Sequence, residues 1–133
     1  MNLTNLLEIL KNNKEPNAQL DIFRDNGQVL IQIYKQRDVL TWGLDIKLED
    51  TEGIVIEILF NKIKKNNNAN YLRFINSELF THFIKIDNVK HDTWFAVFSS
   101  KWQTEEIFNF IINLINDVYK LKNSEIKFNL NAY

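Results

Sequence analysis

The sequence predicts an α+β fold: an antiparallel meander sheet of five or six strands packed by an N-terminal, a middle and a long C-terminal helix. Three observations lead there. Helical periodicity marks both ends of the chain, alternating apolar runs flank Asp25-Asn26-Gly27, and short apolar segments recur between them.

Leu3, Leu6, Leu7 and Leu10 share one helical face, and Pro16 cannot continue the segment, so the first helix covers 3–13. Leu20 and Ile22, then Val29, Ile31 and Ile33, alternate on either side of Asn26-Gly27, which supplies the positive φ of a tight hairpin. A third strand follows over 39–48, with Leu40, Trp42, Leu44, Ile46 and Leu48 on one face and Gly43 marking a bulge or a close approach. One face of this meander packs on helices.

Residues 51–65 read two ways. Ile54 to Phe60 is as β-branched as a buried strand, yet Glu57, Asn61, Lys64 and Lys65 fall at i, i+4, i+7 and i+8, with Asp50 or Thr51 as a cap. The polar spacing favours a helix. After an asparagine-rich loop at 66–70, strands are expected at 71–75, 80–86 and 93–99. The last is apolar on both faces and therefore central. Thr104-Glu105-Glu106 opens a helix over 104–121 with a wide apolar face, and 126–130 alternates as an edge strand or a loose tail.

At 133 residues the chain forms a single globular domain over 1–133, able to bury about two-thirds of its unfolded surface. The absence of cysteine excludes thiolate catalysis, zinc fingers and disulfides, and suits the cytoplasm. No signal peptide or membrane-spanning run is read. The net charge of −1 argues against non-specific nucleic-acid binding, so neither nucleic acid nor membrane is an expected partner.

Few constellations carry chemistry. His82 and His91 stand nine apart without further ligands, and His82 reads as a partly buried strand residue beside Phe80, Ile84 and Ile86, with His91-Asp92 in a turn. No metal and no cofactor is expected. Ser99-Ser100 lacks a nucleophile elbow, and Gly27, Gly43 and Gly53 form no phosphate loop. Glu125-Ile126-Lys127 matches the short Glu-x-Lys element of one nuclease class, but the acid such enzymes need on a preceding strand is missing, so no catalytic residue is assigned.

What remains points to a docking surface. Asp45, Glu49, Asp50 and Glu52 gather within eight positions and could steer a basic partner, while Lys62, Lys64 and Lys65 form an opposite patch. Of the three tryptophans, Trp102 has the most polar surroundings and is the candidate partner anchor.

In its size, its AT-rich composition with 19 asparagines and 17 isoleucines, its lack of motifs and its acidic loop, the chain resembles the small immunity proteins of contact-dependent inhibition and polymorphic-toxin systems. The resemblance is one of general character and transfers no residue role. It implies a bacterial, non-enzymatic protein that occludes the active site of a cognate toxin domain, acidic side chains meeting basic ones. Two other functions stay open: a structural or regulatory subunit, such as a homodimer built through a strand or the C-terminal tail, and a small-molecule-binding domain or carboxylate-dependent enzyme with a pocket near His82.

Overall fold

The computed structural model describes residues 2–48, 50–61, 64, 67–87 and 91–131. Six strands form one antiparallel sheet: β1 (Gln19–Arg24), β2 (Val29–Lys35), β3 (Ile54–Asn61), β4 (Phe83–Asp87), β5 (His91–Phe98) and β6 (Ile126–Asn131), in the order β4-β5-β3-β2-β1-β6. The helices are α1 (Leu3–Asn12), α2 (Gln36–Val39), α3 (Ala69–Ile75) and α4 (Thr104–Asn113).

The N-terminal helix forms as its spacing dictates, with Leu3, Leu6, Leu7 and Leu10 buried and the Asn2 side chain capping Asn5 N–H. Gly27 has φ +90° in the β1–β2 turn, the left-handed region a hairpin of this kind requires. Lys11 lies in the last turn of α1, and Lys35 Nζ and Arg37 both donate to Asn13 O just beyond it, at 2.6 and 2.7 Å. Cations thus meet the negative end of the helix dipole.

Alternate strand residues sort to two faces. Leu20, Ile22, Ile31, Ile33, Ile54, Ile56 and Ile58 pack under α1, α3 and α4 in the main core. Phe74 of α3 is fully buried there among the rings of Phe60, Phe80, Phe83 and Trp94, all within 5.5 Å. Burying one such ring contributes about 2–3 kcal/mol. A smaller cluster of Tyr34, Val39, Val55 and Phe95 lies on the opposite face, covered by Leu44, Ile46 and Leu48.

The α+β class holds, but four segments differ from the expectation. The helix expected over 51–65 is instead β3: residues 54–56 are buried on both faces, and beyond them apolar Leu59 occupies an exposed position, so the sequence lacks the apolar/polar alternation that would mark a strand. Lys62, Ile63, Lys65 and Asn66 lie outside the described residues. The strand expected over 39–48 is helical through Trp42. Gly43 turns left-handed at φ +69°, and 44–48 crosses the second sheet face without joining the ladder. Tyr71–Ile75 belongs to α3, whose first turn is capped by the Asn68 side chain, rather than to a strand. The expected 80–86 strand begins only at Phe83, after a 3₁₀ turn at Glu78–His82. His82 is therefore an exposed residue of that turn, not a partly buried strand residue, and its ring lies 5.3 Å from that of Phe110.

His91 and Asp92 open β5 rather than a turn. Asp92 is fully buried and pairs with Lys85 at 3.7 Å. The C-terminal helix begins at Thr104 and ends in a wider π turn at Leu114–Val118, where Tyr119 N–H reaches Leu114 O. The tail forms the edge strand β6, in register with β1 from Arg24↔Ile126 to Gln19↔Asn131.

Candidate functional site

The acidic stretch lies between α2 and β3. Asp45 and Glu52 are exposed, and Glu49 lies outside the described residues. Asp50 is half-buried and structurally committed: Oδ2 accepts from Ser100 N–H and Ser100 Oγ, both at 2.6 Å, and Oδ1 accepts from Glu52 N–H at 3.1 Å. These bonds to Ser100, with Lys101 nearby, hold its pKa below the usual carboxylate range. Gln36, also buried, ties the same loop down by accepting from Asp50 N–H at 3.2 Å and donating to Phe98 O at 3.0 Å.

Trp102 is half-buried, its ring 4.9 Å from that of Phe98 and nearly perpendicular to it. It shares with Asp50 an open hollow of about 230 Å³, lined also by Gln36, Lys47, Val97 and Ser99. The structure thus brings Asp50 and Trp102 together. Neither Asp45 nor Glu52 lines this hollow.

A second constellation occupies the sheet face opposite α1, α3 and α4, on residues that sequence reading did not single out. Asp21, Gln32 and Glu57 lie in register on β1, β2 and β3, and the row continues through Phe95 on β5 to Ile84 on β4. With strands about 4.8 Å apart, the two acidic positions are about 10 Å apart along the row. Asp21 accepts from Gln19, Gln32 and Asn131 amides at 2.7, 3.3 and 3.3 Å.

Tyr34 donates to Glu57 Oε1 at 3.5 Å. Burial pushes the Glu57 carboxyl up to about 7, against the opposing effect of the Tyr34 hydrogen bond. Burial also raises the Tyr34 phenol pKa, reinforced by the charges of Glu57 and Asp21. Trp42 packs on Tyr34 with ring centroids 4.8 Å apart at 82°, yet remains 41% exposed.

Apolar side chains stand on this face beside the acids, with Leu59 of β3 and Ile84 of β4 exposed at 44% and 46% and Ile86 of β4 half-buried. Glu57 lies on β3 itself, while Asp21 and its amide partners lie on β1, β2 and β6. No protein-family model, curated protein or solved structure matches the chain.

The face can accept hydrogen bonds, attract cations and exchange a proton at Glu57 near neutral pH. Among the described residues, no group of three or more His, Asp or Glu side chains is placed to hold a metal ion. No described helix is long and apolar enough to cross a membrane. One signal in the sequence does mark the site: the polar positions of β1, β2 and β3, at Asp21, Gln32 and Glu57, are the alternates of the buried ones and must share the other face once the register is known.

Proposed function

We propose that this chain is a non-enzymatic protein-binding domain, an immunity protein that neutralises a cognate bacterial toxin in the cytoplasm by covering its active site. One observation carries the reading. The sheet face opposite α1, α3 and α4 joins exposed apolar residues, Leu59 and Ile84, to the carboxylates Asp21 and Glu57 and the exposed ring of Trp42. An apolar centre beside charge is how docking surfaces combine affinity with selection. The acids favour a basic partner surface, such as the nucleic-acid-binding cleft of a nuclease toxin. Exposed Asp45 and Glu52 add negative charge that accelerates encounter.

The test is affinity purification of the tagged chain from its native host, with mass spectrometry of whatever elutes at stoichiometric levels. One dominant basic partner, released by high salt and inhibited by the purified chain, is the expected result. Recovery of the chain alone overturns the reading.

A second reading, self-association, is favoured by one feature. β6 is an edge strand whose outer side pairs with no described strand, and its Phe128 and Leu130 are only half-buried. Light scattering across a hundredfold range of concentration distinguishes it: a constant monomer mass excludes a dimer built on this edge.

A further inference from the structure

The carboxylates of the open face have neutral neighbours. Asp21 is held by three amides and Glu57 by a phenol, and neither forms an ion pair among the described residues. Trp42 packs on the same Tyr34 ring whose hydroxyl holds Glu57, with its outer surface in solvent. Ring quadrupoles and carboxylate charge would act on the same guest, and that guest is a cation. A guanidinium fits better than an ammonium. It is planar, sheds water more readily on approaching a half-buried acid, and presents two parallel N–H donors to one carboxylate.

We propose that the corner formed by Trp42, Tyr34 and Glu57, with Asp21 across β2, seats an arginine side chain of the protein partner. The inference rests on the docking reading above and names the chemistry by which that face selects its partner. Leu59 lies two residues along β3 from Glu57 on the same face and Ile84 two strands away on β4, where they would meet the surface around the arginine and exclude water from it.

The experiment titrates the full chain with the blocked peptide Gly-Arg-Gly and with its citrulline counterpart, which keeps the shape and loses the charge. The signals followed are the Trp42 indole N–H and the Glu57 side-chain carboxyl carbon. Saturable shifts at both are expected with the arginine peptide, with binding about tenfold weaker for citrulline. Glu57→Gln, an isosteric change, and Trp42→Phe at a partly exposed position should each weaken arginine binding while leaving the amide spectrum elsewhere unchanged. Equal responses to the two peptides, or shifts confined to other residues, overturn the proposal.

The two readings fail separately. Capture of a partner whose affinity is unchanged by Glu57→Gln and Trp42→Ala removes the arginine seat and leaves the docking reading. Specific arginine binding without any captured partner supports the seat and removes the docking reading.

Discussion

Tyr34 and Glu57 lie side by side on β2 and β3, the phenol donating to the carboxylate at 3.5 Å on the face opposite the three core-packing helices. Each shifts the other's proton equilibrium. The carboxylate charge helps keep the phenol protonated, while the phenol's hydrogen bond favours the ionised acid. Burial outweighs that bond, so Glu57 titrates at about 7.

A pH-dependent stability difference follows. Glu57 ionises at about 7 in the folded chain and near 4.5 when unfolded. Its contribution to stability is therefore full below 4.5 and is lost progressively up to about 7. Glu57→Gln removes this loss while keeping an acceptor for Tyr34. In urea denaturation the variant should exceed the wild type by about 1–2 kcal/mol at pH 8, allowing for the side chain's contact with solvent, and match it at pH 4. Equal stability at both pH values would refute the assignment.

Local signals in the sequence proved reliable, and signals that depend on tertiary cover did not. Asn26-Gly27 specifies its hairpin by backbone conformation alone, and the Leu3 to Leu10 spacing specifies α1. Between 54 and 60 the second face of the strand carries apolar Val55 and Leu59 as well as Glu57, so the sequence does not alternate and the spacing of Glu57 and Asn61 imitated a helix face. That error also hid Glu57, because its place beside Tyr34 and in register with Gln32 exists only in a strand. Over 39–48 the alternation was partly informative: Leu44, Ile46 and Leu48 do pack against one cluster, yet they cross a sheet instead of joining it. Asp50 and Trp102 each stand out in the sequence, but nothing there places the acid beside the ring. The bonds between Asp50 and Ser100 join residues fifty positions apart.

Gly53 is required by close approach. A Cβ there would lie 2.9 Å from Gln36 Cδ and closer still to Gln36 Nε2 and Phe98 O. The last is backbone of β5 and cannot move without disturbing its pairing with β3, while Gln36 holds both Phe98 and Asp50. Gly53→Ala should therefore destabilise the fold by about 2 kcal/mol or more, read as a lower urea midpoint. An unchanged midpoint would show that the Gln36 contact is dispensable.

Asp50 and Glu52 should separate cleanly on mutation. Asp50 accepts three hydrogen bonds and its pKa is depressed, so its stabilisation is present above its unfolded pKa and is lost as pH falls through the lower, folded one. Asp50→Ala should melt at a lower temperature than the wild type at pH 7, with the gap narrowing in strong acid. Glu52→Lys should leave the melting temperature nearly unchanged, because its side chain is exposed, and should slow association with a basic partner at low salt. Matching melting curves for Asp50→Ala and the wild type would mean that the Ser100 tether contributes nothing.

Removing β6 should do more than change self-association. The strand pairs with all six residues of β1, and its Ile126 is buried at 7% exposure while Phe128 and Leu130 pack on the main core. Deleting 126–133 would leave β1 as the new edge and expose part of the cover over Leu20 and Ile22, which are fully buried in the intact chain. The truncated chain should lose several kcal/mol of stability and become prone to aggregation. Asn129→Lys is the gentler probe. Its side chain lies on the open face and is exposed, so the β1 pairing should survive while a second copy approaching that edge meets an added charge on each strand. A stable monomer before and after Asn129→Lys, combined with a lower melting temperature only for the truncation, would assign β6 to the fold of one chain rather than to an interface between two.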